Sequence, residues 1–164
     1  MSFNSIDYRK CLGSFATGVT VITTNHNEKL TGITVNSFTS LSLDPYMILF
    51  NIGKASSKYD TFKNCEYFTV NILEESQLNL SQSFSNPEPV DWEKINYKHG
   101  KTNTPILNNV LSYLECKTDK IYDGGDHSII TARVINLESL SNNKPLLYYK
   151  GNYCQINDIN SRDL

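Results

Sequence analysis

Apolar and polar positions alternate in "YFTVNIL" and "SYLECKTDKIY", the two-residue period of strands that bury one face, while "YMILFNI" is a continuous apolar run. Helical spacing opens the chain: Tyr8, Cys11, Leu12 and Phe15 fall on one face of a short helix, with Ser5 placed to cap it and Asp7 in its first turn. "VTVITT", residues 19–24, is β-branched and reads as a strand. "NHNEK" then turns the chain into a second strand, "LTGITVNSF", so the two are expected to form a hairpin. "YMILFNI" is a buried strand, and "YFTVNIL" an alternating one. Between them Ser57 and Asp60 have capping-box spacing for a helix that carries Tyr59 and Phe62 on one face. Leu73, Gln77, Leu80 and Phe84 recur at helical spacing, and "SNPEPVDWEKINYKHG" reads as a long loop. "SYLECKTDKIY", with Leu114 and Cys116 on one face, and "HSIITARVINLESL" are long strands around a "DGGD" turn, and "LLYY" and "NYCQI" form a last pair. Six or seven strands with two or three short helices argue a mainly β fold, a closed antiparallel barrel with helices at its ends.

The 164 residues suit a single domain, with a core from about 8 to 156 and a polar tail over 157–164. A net charge of −2 and a pI near 5.9, with no basic stripe, exclude phosphate-driven nucleic-acid binding. The longest apolar run, "YMILF", is far short of the roughly 20 residues of a membrane span. No signal peptide is visible, so the expected location is cytoplasmic and the four widely spaced cysteines are expected to be reduced thiols in or near the core. No cysteine–histidine cluster suggests a metal, and no G-x-G-x-x-G, P-loop or G-x-S-x-G motif is present. With so plain a side-chain set, a bound cofactor is the economical carrier of any chemistry.

"LTGITVNSFTSLSLDP" crowds small hydroxyls and amides into a strand that a pure core would not need. This stretch, with "FATGVTVITT", "FTVNIL", "GGDHSIITARV" and "PLLYYKGNY" in the same order and similar spacing, resembles the flavin reductase-like family, small enzymes that supply reduced flavin to two-component monooxygenases. The resemblance runs from about Tyr8 to Ile156. It implies a Greek-key split β-barrel that binds FMN (FAD being the alternative), a homodimer with flavin near its interface, NAD(P)H as electron donor and a partner monooxygenase.

The resemblance also implies site residues. Flavin would lie along Thr34, Val35, Asn36, Ser37 and Phe38, with Ser40 and Leu41 beyond and Phe38 turned away to pack. Its phosphate would meet Lys54, Ala55, Ser56, Ser57 and Lys58, where amides at a helix start favour an anion. Phe84, Ser85 and Asn86 match a further flavin-contacting turn. Gly124 and Gly125 allow backbone to approach a ligand closely, and His127 would stand beside the nicotinamide, with Asp126 either orienting its ring or closing the turn. Tyr149 and Tyr153, with Tyr148, would wall the pocket, unless these aromatics serve the core. Asn152 stands where relatives often carry a basic residue, so the choice of NADH or NADPH stays open. Direct hydride transfer between stacked rings needs no acid–base dyad, which suits this sequence. Two other readings stand beside it: a flavin carrier without turnover, and another split-barrel flavoenzyme of the pyridoxamine-phosphate-oxidase kind. The second lacks an arginine-rich substrate site, since only Arg9, Arg133 and Arg162 are present.

Overall fold

The computed structural model describes residues 3–157, so the polar tail expected at the C-terminus lies, beyond 157, outside the described residues. Helix α1 (Ser5–Leu12) leads through β1 (Thr17–Gly18) to the hairpin of β2 (Thr20–His26) and β3 (Lys29–Val35). Then come β4 (Thr39–Leu43), β5 (Tyr46–Gly53), α2 (Tyr59–Asn64), β6 (Tyr67–Ile72) and α3 (Leu78–Ser85). The chain ends with β7 (Tyr97–His99), β8 (Pro105–Leu107), β9 (Ser112–Gly124), β10 (His127–Ser139), β11 (Leu147–Tyr149) and β12 (Asn152–Cys154). Seven strands make one sheet in the order β3-β2-β6-β9-β10-β5-β4, and every pairing in it is antiparallel. Two small sheets, β1-β11-β12 and β7-β8, flank it.

The excursion from β5 through α2 to β6 carries the chain from one side of the sheet to the other, a Greek-key connection. The sheet curls so that the chain after β3 returns to β5, where one side chain spans the gap. The Ser37 hydroxyl donates to the Asn51 carbonyl at 3.1 Å and accepts from the Asn51 amide at 2.9 Å. Two apolar clusters lie on the two faces of β2. The inner one gathers Ile22, Phe50, Phe68, Val70 and Ile130, with Phe50 edge-on to both Phe62 and Phe68. The outer one gathers Val19, Val21, Leu73, Phe84 and Leu107 beneath α3. Ile22 belongs to the first and Val21 to the second, which is why the β-branched run of β2 is buried on both faces.

Several expectations change. Asn4, not Ser5, caps α1, accepting from the Ile6 and Asp7 amides at 2.9 Å, and no residue of the helix is buried. Cys11 on it is exposed, whereas Cys65 and Cys116 are core; burial pushes the Cys116 thiol up to about 12. The second strand stops at Val35 rather than Phe38, because the next amides leave the ladder. No capping box forms at Ser57; one forms at Glu74 and Gln77, opening a 3-10 turn before α3. The long loop contains β7 and a 3-10 turn at Trp92–Lys94, whose indole packs on Phe84 and Tyr97. Among the described residues no helix is long and apolar enough to cross a membrane.

Candidate functional site

The gap between β3 and β4 is where the sheet leaves backbone donors unused. Among the described residues, nothing in the protein accepts a hydrogen bond from the amides of Asn36, Ser37 or Phe38. Asn36, Ser40 and Leu41 are exposed beside them, while Phe38 leans onto the inner core, the orientation expected of it. The crowded hydroxyls divide into two groups. Thr34 donates to the Ser81 carbonyl at 2.7 Å and Ser37 is bound to Asn51, so these two build the wall. The unpaired amides and the exposed Asn36 and Ser40 are what the wall presents.

Helix α3 fixes that wall from behind. Ser81, fully buried, takes the Thr34 hydroxyl on its carbonyl and holds the Tyr153 phenol on its own hydroxyl at 2.9 Å. Ser81 is not among the residues expected at the site; in the sequence it shows only as a small polar residue on the helix face of Gln77 and Phe84. Tyr153 is edge-on to Tyr148 and half-buried, so it packs rather than lines open space. Tyr149 is exposed, with the Lys150 ammonium over its ring, on the same small sheet as Tyr153.

The expectation for Phe84 is overturned. Its side chain is fully buried in the outer cluster, and a β-carbon on Gly32 would overlap its ring. It therefore cannot offer its ring to a flavin, and its carbonyl accepts a buried hydrogen bond from the Lys58 ammonium. Ser85 and Asn86 are exposed at the end of α3.

The 54–58 turn is also built differently from expectation. Helix α2 begins only at Tyr59 and has six residues, so its dipole contributes little. The Lys58 ammonium is buried against the Phe84 and Asn86 carbonyls, at 3.0 and 2.7 Å, capping α3; desolvation lowers its pKa. The Lys54 ammonium pairs with Asp123 and donates to the Gly125 carbonyl. Neither lysine is a free cation for a phosphate. What remains are the amides of Ala55 and Ser57, which have no protein acceptor among the described residues, on exposed backbone. Ser56 accepts from the Lys58 amide and Ser57 donates to the Pro87 carbonyl. A cleft of about 420 Å³ continues from Ser57 and Lys58 past Thr31 to Lys29, Pro87 and Trp92.

His127 opens β10 opposite Gly53, the last residue of β5, and its ring lies over that glycine. Gly125, at φ 77°, makes the preceding turn possible. Asp126 Oδ1 lies 2.7 Å from His127 Nδ1; this hydrogen bond holds the Asp126 carboxyl below the usual range. With Nδ1 so engaged, Nε2 of the neutral ring is left as an acceptor. The strand gap, α3, the 54–58 turn and the His127 turn thus touch in succession.

The description of the flavin reductase like domain matches residues 12–157. The chain belongs to the flavin reductase-like family. The reductase subunit HsaB of a flavin-dependent monooxygenase from Mycobacterium tuberculosis is 36% identical over 151 residues, 91% of this chain and 81% of that protein. SmoA of Agrobacterium fabrum, an NADH-dependent FMN reductase, is 38% identical over 136 residues, covering 80% of this chain and 75% of its own. The solved structure of the NADH:FAD oxidoreductase SgcE6 from Streptomyces globisporus C-1027, in complex with NAD and FAD fragments, has a TM-score of 0.89 at 28% identity. That likeness covers 94% of this chain and 93% of SgcE6. The reductase accordingly has the split-barrel fold of this family and acts as an NAD(P)H-dependent flavin oxidoreductase.

Proposed function

We propose that this reductase binds FMN along the gap between β3 and β4, takes electrons from NADH beside His127, and delivers reduced flavin to a partner monooxygenase. The carrying observation is the run of unpaired amides at Asn36, Ser37 and Phe38, adjoining a second set at Ala55 and Ser57. The first set suits the carbonyl and ring-nitrogen acceptors of a flat heterocycle, and the second suits a phosphate. The donor set therefore fits a flavin. The bound flavin would supply the two-electron acceptor that no side chain here provides. The protein's residues orient: the gap amides donate where negative charge gathers on reduction, and Asn36 and Ser40 flank the ring edge. His127, its tautomer set by Asp126, accepts from the carboxamide of the nicotinamide.

FMN is favoured because the two sets of amides account for one ring system and one phosphate. SmoA is named for FMN and NADH, and SgcE6 for FAD. FAD would have to place its extra nucleotide in the cleft toward Lys29 and Trp92. The oxygenase partner rests on relatives such as HsaB, and the homodimer on the exposed apolar side chains of β4, β5 and β10.

Mixing purified protein with FMN and NADH should bleach the visible band of the flavin and, in air, consume oxygen. Flavin binding without bleaching would point to a carrier instead. His127→Ala should raise the KM for NADH about tenfold, the loss of one directed hydrogen bond, and leave FMN affinity within twofold. An unchanged KM removes His127 from the donor site.

A further inference from the structure

We propose that Lys54 is a positioning residue for His127, a clamp that holds the β9–β10 turn against the end of β5, and not a ligand of the flavin phosphate. The inference rests on the reading above that His127 meets the nicotinamide. Lys54 reaches the turn three times within four residues. Its backbone amide donates to the Asp126 carbonyl at 2.9 Å, its ammonium donates to the Gly125 carbonyl at 2.6 Å, and the same ammonium pairs with the Asp123 carboxylate. Asp123, Gly124, Gly125, Asp126 and His127 are all exposed, so no buried side chain of their own anchors them. Gly125 lies in a left-handed conformation that a flexible turn readily leaves. The clamp therefore supplies the fixity that the turn's composition withholds, and it acts on the residue that aims the imidazole: Asp126, at once the backbone partner of Lys54 and the hydrogen-bond partner of Nδ1.

Electrostatics opposes the alternative role. A phosphate drawn to Lys54 would meet the Asp123 carboxylate already on that ammonium, and the pair is close to neutral from outside. The hydrogen bond between them holds Lys54 above the usual lysine range and Asp123 below the usual carboxylate range. The anion donors nearby are instead the Ala55 and Ser57 amides.

The test compares Lys54→Met, Lys54→Arg and Asp123→Asn in the full chain by hydrogen exchange of the 123–127 segment, by NADH kinetics, and by FMN and riboflavin binding. With an exposed ion pair, Lys54→Met should speed exchange of that segment and raise the KM for NADH by about threefold to tenfold. The KM effect should be the same with FMN or riboflavin as acceptor, and both flavin dissociation constants should stay within twofold. Asp123→Asn, which touches neither ligand, should move exchange and KM in the same direction, and Lys54→Arg should recover most of both. Weaker FMN binding in Lys54→Met with riboflavin binding unchanged would make Lys54 a phosphate ligand and overturn the proposal. Unchanged exchange and KM would overturn it as well. Should His127→Ala leave the NADH KM untouched, the donor-site reading fails, and the exchange measurement decides on the clamp alone.

Discussion

Two residues show how differently one polar or aromatic letter can be used. Phe84 sits in a stretch that resembles a flavin-contacting turn, yet its ring fills the outer core against Gly32 and Trp92. Phe84→Ala should therefore cost about 3–5 kcal/mol of stability, measured by denaturant unfolding, with flavin affinity per folded molecule little changed. Glu115 is the opposite case, a fully buried carboxylate in the first half of β9. It accepts from the Thr102 amide and hydroxyl and from Asn136 Nδ2, at 2.7–2.8 Å. Burial alone would raise its pKa, but these hydrogen bonds outweigh burial and lower it. Because the native pKa lies below the unfolded one, the contribution of Glu115 is complete above the ordinary glutamate value of about 4.3. It is lost as pH falls through the depressed native value. Glu115→Ala should destabilise by about 3 kcal/mol at neutral pH and flatten the acid limb of a stability–pH curve. An unaltered acid limb would show that the carboxyl is not titrating with folding.

At the scale of elements, the 54–58 turn and the end of α3 form one unit, joined by the Lys58 ammonium and the Ser57 hydroxyl. Lys58→Met should free the α3 carbonyls, so that limited proteolysis cuts first between residues 85 and 91. A cut that appears first elsewhere would deny Lys58 its capping role. The lysine reads in sequence as a phosphate ligand because nothing local reveals that it is buried. The same limit explains what was and was not legible. Alternation and β-branching mark β2, β5, β6, β9 and β10, since β2, β5 and β6 bury side chains along most of their length and β9 and β10 do so where they pair with β6 and β5. The end of β3 is hidden because Phe38, an aromatic residue of the kind strands favour, closes the stretch while the strand itself stops at Val35. The pairing of β7 with β8 was hidden because three-residue strands carry no period. Glu115 lies on the face of β9 opposite Leu114 and Cys116, and the return of residues 100–104 over that face covers it. The His127 turn and the polar strand were legible as candidates because glycine pairs and hydroxyl clusters are rare in plain core strands.

At the scale of the molecule, apolar surface remains uncovered. Leu43 and Tyr46, paired across β4 and β5, are 82% and 66% exposed, and Leu137 on β10 is 62% exposed. Side chains of this kind on several strands mark a contact surface, and a second copy of the chain is the occupant proposed above. Light scattering should give twice the chain mass, and Leu43→Glu with Tyr46→Glu should yield monomer. A wild-type monomer would refute the homodimer. Flavin binding by the separated monomer would then report whether the gap needs anything from its partner.

The stitch at Ser37 has a consequence for what this barrel can hold. A sheet that zips shut commits every amide to a neighbour; here a single hydroxyl does the closing, and three residues of main chain, about 10 Å at strand spacing, keep their donors. Capacity to grip a guest is thus written in backbone that any side chain can decorate. Proline at the exposed Asn36 would silence a donor without emptying the core, so the length of the seam, more than the letters along it, sets the size of the ring that fits.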